Sequence, residues 1–338
     1  MNRIIVIAGI ILIGLMGLNS CGKKGPKSKA DSSLNDTLTV LRNLDLLIEE
    51  DPNNAENYFA RAQYHFQTDS PASAVVDCQK AISLDSTKAS YYILLGDLNL
   101  ILNKPVETRQ CFLKALEVEP NNIESLMKFG EFNLYLQNYD SMFIFVNKAL
   151  RIDQYNSKGY FLKGMAYSEM GDTAAAISSL QTCVEVDPDY FNAYMQLGTI
   201  FSNKRHPLAA TYFKNAIDAN PTKPEAYYGL AYYYQENGQP EEAIHFYKAM
   251  IKLSPENPAA LHNIGYVFLF DLNVKDSAIY YFDRAIRKDV RYANAIYHRG
   301  YAYELKGNKQ AAKTDYEATL RVDPEHQLAQ LGLKRVSK

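Results

Sequence analysis

Small and large apolar residues recur along this chain at spacings of 33 to 35 positions. One column is Gly or Ala, and three others keep register with it. The first column is Ala62, Gly96, Gly130, Gly164, Gly198, Ala231, Gly265 and Gly300; the second is Ala74, Thr108, Met142, Ala176, Ala209, Ala243, Ala278 and Ala312; the third is Cys78, Phe112, Val146, Leu180, Phe213, Tyr247, Phe282 and Tyr316; the fourth is Ala81, Ala115, Ala149, Cys183, Ala216, Met250, Ala285 and Thr319. This period predicts a repeat protein whose units stack around one continuous core.

Each column has a packing reason. A glycine inside a helix is less favourable than alanine by about 1 kcal/mol, so repeated glycines indicate that a second helix approaches closely. The aromatic column fills the space between the two helices. A closing proline (Pro120, Pro188, Pro221, Pro255 or Pro324) ends the second helix and starts the next repeat.

These columns resemble the tetratricopeptide repeat (TPR), a 34-residue helix–turn–helix. The resemblance covers residues 55–326 and departs from the family at the large aromatic near the start of the first helix, which is never Trp. Five repeats have a tyrosine there: Tyr58, Tyr92, Tyr160, Tyr194 and Tyr227. The resemblance implies an all-α, right-handed superhelical α-solenoid whose first helices line a concave surface.

The same register divides the chain into eight repeats flanked by single helices. The expected repeats are 55–88, 89–122, 123–156, 157–190, 191–223, 224–257, 258–292 and 293–326. A leading half-repeat helix is expected over 34–54 and a capping helix over 327–338. The fifth repeat has lost a residue near Asn203–Pro207. The seventh has gained one near Asp271–Asp276, and loops are expected to absorb both changes.

The N-terminus predicts export and lipid attachment. Arg3 precedes an uncharged run from Ile4 to Leu18, which is too short for a permanent span and typical of a signal peptide over residues 1–20. The Leu18–Cys21 segment resembles the lipobox of bacterial lipoproteins, although Asn19 is unusual there. The resemblance implies cleavage before Cys21 and its acylation, with palmitate among the expected lipids. The alternative is an uncleaved signal anchor with an incidental thiol.

The residues after Cys21 bear on location. In the best-known sorting rule, an Asp directly after the lipidated cysteine retains a lipoprotein at the inner membrane. This chain has Gly22 at that position, which favours the outer membrane of a bacterial cell envelope. Residues 21–33 are predicted to form a flexible tether. Its lysines (Lys23, Lys24, Lys27 and Lys29) either contact anionic headgroups or serve as a solubilising spacer.

Composition and motifs exclude several function classes. The 36 Lys and Arg against 38 Asp and Glu argue against a nucleic-acid binder. Metalloprotease, hydrolase and complete phosphate-loop motifs are missing, so we expect no enzymatic activity, cofactor, metal or small-molecule substrate. Cys78, Cys111 and Cys183 are expected to be buried thiols, although a Cys78–Cys111 bridge remains open.

The predicted concave surface carries the candidate binding residues. Its second half is rich in tyrosine, and its first half is apolar or acidic, with Glu56, Asp97, Glu124 and Glu131 favouring a basic partner segment. We expect a peptide-binding groove at Tyr228, Tyr232, His262, Tyr266, Tyr297 and Tyr301, together with Phe161 and Met165, because tyrosine combines apolar area with a hydroxyl. The alternative is that the tyrosines only pack between neighbouring helices.

The sequence therefore predicts a membrane-anchored, non-catalytic scaffold that binds a protein or peptide partner in the groove. A structural subunit of an envelope assembly or secretion machine is the alternative, in which the outer face and loops would be buried in an obligate interface. A glycan-binding protein is a third hypothesis, which a glycan array would separate from the others.

Overall fold

The computed structural model describes residues 29–338, with side chains from residue 39 onward, and this part of the chain contains helices but no strand. The helices are α1 (Lys29–Glu50), α2 (Ala55–Gln67), α3 (Pro71–Leu84), α4 (Ala89–Ile101), α5 (Pro105–Val118), α6 (Ile123–Tyr135), α7 (Tyr139–Ile152), α8 (Ser157–Met170), α9 (Thr173–Val186), α10 (Phe191–Asn203), α11 (Leu208–Ala219), α12 (Pro224–Glu236), α13 (Pro240–Leu253), α14 (Pro258–Tyr266), α15 (Lys275–Lys288), α16 (Ala293–Leu305), α17 (Lys309–Val322) and α18 (Gln327–Val336). A π-helical segment, Val267–Asp271, follows α14.

The chain divides into two compact units within α8. One ends at Ala166 and the other is Tyr167–Lys338. In each unit a helix packs on its partner across a short turn, as α4 does on α5 and α12 on α13. The second helix of one pair also packs on the first helix of the next. Because a single pair cannot bury its apolar face, this stacking builds the core, and the predicted all-α solenoid is confirmed.

The four sequence columns form that core. Every column residue is buried, including the aromatic rings of Phe112, Tyr247 and Phe282. The glycine column faces the aromatic column: a Cβ atom added to Gly96 would lie 2.5 Å from the ring of Phe112, and one on Gly198 would lie 2.7 Å from Phe213. These distances are below van der Waals contact, so the predicted close helix approach is confirmed.

The tyrosines that replace Trp have a specific role. The Tyr58 hydroxyl donates to the Pro52 carbonyl over 3.2 Å, and the Tyr160 hydroxyl donates to the Gln154 carbonyl over 3.0 Å. Tyr92 and Tyr227 make the same bond to the carbonyl six residues earlier. The hydroxyl therefore satisfies a carbonyl where one repeat ends and the next begins.

Each of the eight turns between paired helices contains one left-handed residue. These residues are Asp69, Asn103, Gln137, Gly171, Arg205, Gly238, Asn273 and Gly307, with φ between 51° and 84°. A left-handed residue at this place closes a helix by bonding its last carbonyls. Gln137 and Arg205 adopt this conformation without the freedom of glycine or the local hydrogen bonding of Asn and Asp.

The extra residue of the seventh repeat lies in a helix, which corrects the prediction of a loop insertion at Asp271–Asp276. The Leu272 N–H donates to the Val267 carbonyl over 3.0 Å, a five-residue step. One residue inserted into an α-helix is commonly accommodated by such a π turn. The missing residue of the fifth repeat lies after Arg205, where α11 begins directly after Pro207.

Only some of the N-terminal predictions concern residues that the structure describes. The predicted signal peptide and Cys21 lie outside the described residues. The flexible tether predicted over 21–33 is wrong for residues 29–33, which belong to α1. No Gly or Pro lies between Pro26 and Pro52 to interrupt that helix. None of the helices within residues 29–338 is both long and apolar enough to cross a membrane.

The first and last repeats share an arginine clamp. Arg61 donates two bonds to Asp77, over 2.7 and 2.8 Å, and a third to Asp45 on α1. Arg299 binds Asp315 and Asp283 in the same arrangement, again 16 residues away in each direction. Bidentate arginine–carboxylate pairs fix geometry. Each clamp therefore ties three consecutive helices together at one end of the repeat array.

Candidate binding surface on the first helices of the second unit

The candidate surface of the second unit is built on α12, α14 and α16, the first helices of three consecutive pairs. On α12, Glu225, Tyr228, Tyr232 and Glu236 recur every three or four residues and so share one face. The equivalent faces present Tyr266 on α14 and Tyr301 on α16. The repeat register therefore places aromatic side chains side by side on neighbouring helices.

One cavity on this surface, the Tyr228 groove, has a volume of 510 Å³. Met195, Phe213 and Met250 contribute to its apolar lining, and Tyr228 and Tyr232 form one wall. The two tyrosine rings are nearly parallel, with centroids 6.3 Å apart, and they are 38 % and 43 % exposed. Neighbouring tyrosines with this exposure offer ring faces and hydroxyls to a partner.

Gly229 gives the Tyr228 groove its depth. The equivalent positions on α10 and α14 hold Gln196 and Asn263, whereas Gly229 has no side chain. A Cβ atom there would lie 2.6 Å from the Phe213 ring. The space over α12 is thus kept open by a residue outside the predicted repeat columns.

A second cavity, the Tyr301 groove, has a volume of 500 Å³ and is closed by α18. Phe270 stacks on Tyr301 with centroids 6.0 Å apart and lies 4.3 Å from the Tyr266 ring. Leu328 and Arg335 of α18 complete the lining. The capping helix therefore contributes to the surface as well as covering the last repeat.

The charges of the Tyr301 groove neutralise each other. Arg335 donates to both carboxylate oxygens of Glu304, over 2.7 and 2.9 Å, and the Tyr316 hydroxyl also donates to Glu304. The bond from Arg335 keeps the pKa of Glu304 below its usual range. The carboxylate is fully engaged within the protein, so this cavity has an aromatic rather than an acidic character.

A histidine pair lies beneath these aromatic rings. His262 Nε2 and His298 Nδ1 are 3.0 Å apart, and His298 makes an edge-to-face contact with Tyr266. Burial lowers the pKa of both rings, and for His298 burial and the neighbouring His262 lower it to about 4. At neutral pH one uncharged ring donates to the other, which packs the rings without placing a charge below the surface.

The structure separates the predicted groove residues into two groups. Tyr228 and Tyr232 are exposed, and Tyr266 and Tyr301 are half-buried. The other four are core residues: His262 is 8 % exposed, Tyr297 7 %, Phe161 2 % and Met165 7 %. Phe161 and Met165 belong to the first unit. Their prediction as contact residues is corrected, because so little of each side chain is accessible to a partner.

Sequence reasoning missed six residues that line the Tyr301 groove: Phe270, His298, Glu304, Leu305, Leu328 and Arg335. Phe270 lies one helical turn beyond Tyr266, so extending the helical register would have found it. The π segment then carries it onto the exposed surface, where it is 44 % exposed. Arg335 carries no comparable signal, because its contact with Glu304 joins elements 31 residues apart.

The acidic residues of the first unit do not form the open acidic surface that the sequence suggested. Lys128 binds Asp97 over 2.6 Å, Lys158 binds Glu131 over 2.7 Å, and Glu56 accepts a bond from a tyrosine hydroxyl. Each lysine comes from the next first helix along the chain. The expectation of a basic partner for this half is corrected, since only Glu124 among the four acids lacks such a bond.

No metal or disulfide chemistry is apparent on the described side chains. Within residues 39–338, no three His, Cys, Asp or Glu side chains converge as metal ligands. Cys78 and Cys111 are free thiols, which closes the question of a bridge between them. Burial raises the pKa of Cys78 to about 12, so it stays a thiol at neutral pH.

Comparison with known proteins confirms the repeat type. Family profiles described as tetratricopeptide repeat match residues 157–190, 212–245 and 293–326. The C-terminal part of a TPR repeat-containing protein from Cytophaga hutchinsonii superposes with a TM-score of 0.51 at 18 % identity, over 81 % of this chain and 99 % of that one. The chain therefore has the all-α TPR solenoid fold.

The curated relatives that match this chain are longer proteins. Anaphase-promoting complex subunit 3 of Schizosaccharomyces pombe is 20 % identical over 78 % of this chain and 40 % of its own length. BBSome complex member BBS4 of Bos taurus is 25 % identical over 69 % of this chain and 47 % of its own length. The chain spans less than half the length of both relatives.

Proposed function

We propose that this chain is a lipid-anchored, non-catalytic scaffold of a bacterial cell envelope that holds a partner protein against the first helices of its second unit. The observation that carries the binding part is the adjacent, solvent-accessible pair Tyr228 and Tyr232 at the open Tyr228 groove. Exposed, nearly parallel aromatic rings beside an apolar cavity are typical of an interaction surface.

The anchoring part is supported by the sequence of residues 1–21. A short apolar run is followed by a cysteine in lipobox context. Several acyl chains on Cys21 would hold the chain at the membrane, since each buried methylene contributes about 0.8 kcal/mol. Gly22 supports the outer membrane as its destination.

Partner binding is tested by affinity capture from solubilised envelopes with the full-length chain. The comparison is with the triple variant Tyr232→Ala, Tyr266→Ala and Tyr301→Ala. We expect one specific partner to be lost while the variant keeps its helicity and a cooperative melting transition. Identical captures by the two folded proteins would reassign these tyrosines to packing.

Lipid attachment is tested by metabolic labelling with a clickable palmitate analogue and by membrane fractionation. The wild type should carry the label and sediment with membranes, whereas Cys21→Ser should not be labelled. The matched control is Cys111→Ser, which removes a different thiol. Equal labelling of the wild type and Cys21→Ser would contradict lipidation at this residue.

A structural subunit of an envelope machine remains a second candidate, favoured by exposed apolar side chains on second helices of the first unit. Val76, Val106 and Ile144 are 63–65 % exposed. Changing all three to Ser should release the chain from a stoichiometric complex on native gels if this face is an obligate interface. An unchanged complex would leave the tyrosine surface as the better supported site.

A further inference from the structure

The Tyr228 groove carries a charge that the protein does not neutralise. Glu225 is the only charged residue in its lining, and it is exposed. Within residues 39–338, Glu225 forms no ion pair, in contrast to Glu304 of the neighbouring cavity. A single carboxylate beside an apolar, aromatic wall is favourable for a cation with an apolar stem.

A second acidic position lies at the other end of the same face. Glu236 is exposed on the last turn of α12, and Asp271 is exposed at the end of the π segment. Burial and the neighbouring Glu236 raise the pKa of Asp271, as expected for two nearby carboxylates without a cation between them. Neither side chain forms an ion pair with a described residue.

The two acidic positions are too far apart to meet one cation. Glu225 and Glu236 are 11 residues apart on one helix, which corresponds to roughly 16 Å along its axis. Tyr228 and Tyr232 lie between them on the same face. The surface therefore presents negative, aromatic and negative zones in succession.

Resting on the function proposed above, we infer that the partner reaches this surface with a cationic extended segment, in which Lys or Arg side chains pair with Glu225 and with Glu236 and Asp271. The stems of these side chains would lie over the exposed faces of Tyr228 and Tyr232. A cation over a tyrosine ring is attracted by the ring quadrupole, and the aliphatic stem covers apolar area. Glu225 and Glu236 thereby become specificity-determining residues.

The test is selection of a phage-displayed library of random dodecapeptides on the immobilised full-length chain. Parallel selections use the isosteric variant Glu225→Gln/Glu236→Gln and the triple tyrosine variant described above. The selected peptides are then synthesised, and their affinities are measured at low and high salt. The matched charge control is Glu241→Gln/Glu242→Gln, two acids in the first turn of α13, the second helix of the same pair.

We expect the wild type to enrich Lys- and Arg-containing peptides. Their affinity should fall about tenfold on the Glu225→Gln/Glu236→Gln variant and weaken with salt, because the contacts are exposed ion pairs. The Glu241→Gln/Glu242→Gln control should bind like the wild type. Peptides without cations, or equal affinity for the Gln variant, would overturn the cationic partner while leaving a peptide-binding groove in place.

Two further results have distinct meanings. If the wild type enriches no peptide over an empty surface, the groove binds no peptide and the proposed function fails with the inference. If a synthetic peptide of residues 22–29, GKKGPKSK, displaces the selected peptides at equal concentration, the chain's own basic segment occupies the groove and the inferred partner is wrong.

Discussion

The first helices of the two units differ in whether their acidic side chains are paired with a lysine. In the first unit, Asp97 and Glu131 are each held by a lysine of the following first helix. In the second unit, Glu225 and Glu236 occupy exposed positions on α12 without an ion pair among the described residues, and tyrosines stand between them. The repeat scaffold is common to both units, but on the second unit exposed, unpaired carboxylates lie on the same helix face as exposed tyrosine rings.

This difference separates residues that stabilise the solenoid from residues that are available to a partner. A charge paired inside the protein contributes to folding, and its loss leaves the other charge uncompensated. An exposed charge contributes little to folding and is free to contribute to binding. The second unit is therefore where we expect recognition, although both units belong to one fold.

The largest expected effect comes from breaking a pair in the first unit. Lys128→Met leaves the Asp97 carboxylate, already raised in pKa by burial, without its cation. We expect a loss of about 3 kcal/mol in the free energy of unfolding, measured by urea denaturation. Glu225→Gln in the second unit should change it by less than about 0.5 kcal/mol. Similar losses in the two variants would remove the distinction between the units.

Overpacking the glycine column should act equally in both units. Gly130→Leu and Gly198→Leu each place a side chain where a Cβ atom already approaches Val146 or Phe213 within 2.7 Å. Each variant should lower the free energy of unfolding by roughly 1–3 kcal/mol. Thermal melting monitored by circular dichroism measures the loss. An unchanged melting temperature for either variant would contradict the shared repeat register.

Acidification should weaken the second unit selectively through His298. Its pKa is lowered to about 4 from an ordinary 6.5, so the unfolded chain binds a proton more readily. The uncharged His298 ring therefore contributes its full share to the free energy of unfolding above pH 6.5, and this share is lost as the pH falls towards 4. The expected loss is about 2 kcal/mol after allowance for the partial exposure of the ring. Besides burial, the neighbouring imidazoles of His262 and His326 lower the pKa of His298.

The measurement compares wild type with His298→Gln from pH 7 to pH 4. The variant should lose less stability over this range than the wild type, because it has no imidazole at this position to protonate. Exchange of backbone amides should locate the acid-induced loosening in α14 and α16. Parallel pH profiles for the two proteins would show that the buried histidine pair does not govern acid stability.

The smallest expected effect concerns the turns. Gln137 in the first unit and Gly238 in the second occupy equivalent left-handed positions, with φ of 58° and 67°. Gln137→Gly should raise stability by about 1 kcal/mol, and Gly238→Gln should lower it by a similar amount, because a side chain disfavours this conformation. Equal and opposite shifts in melting temperature would support the equivalence, whereas shifts of the same sign would oppose it.

The sequence predicted the core because periodic spacing reports periodic packing. Ala62, Gly96 and their column partners are buried as predicted, since small residues at a fixed period have one geometric role in stacked helices. The same logic could not place the extra residue of the seventh repeat. An inserted residue is compatible with either a longer loop or a π turn, and only the Leu272–Val267 bond distinguishes them.

The candidate surface was less predictable, because its details depend on contacts between different repeats. Tyr228 and Tyr232 were found by register, but so were Tyr297 and His262, which are buried. Register gives the direction of a side chain but not how far a neighbouring helix covers it. The contribution of Arg335 depends on how α18 packs, which no local pattern encodes.

The central claim is that a partner contacts the first helices of the second unit and not those of the first. Site-specific photo-crosslinking in intact cells tests it most directly, with p-benzoylphenylalanine replacing Tyr228 or Tyr232 and, as matched controls, the exposed first-unit residues Gln63 or Ser90. We predict a discrete crosslinked product from Tyr228 and Tyr232 but not from Gln63 or Ser90. Crosslinks from the first-unit positions, with none from the tyrosines, would contradict the account.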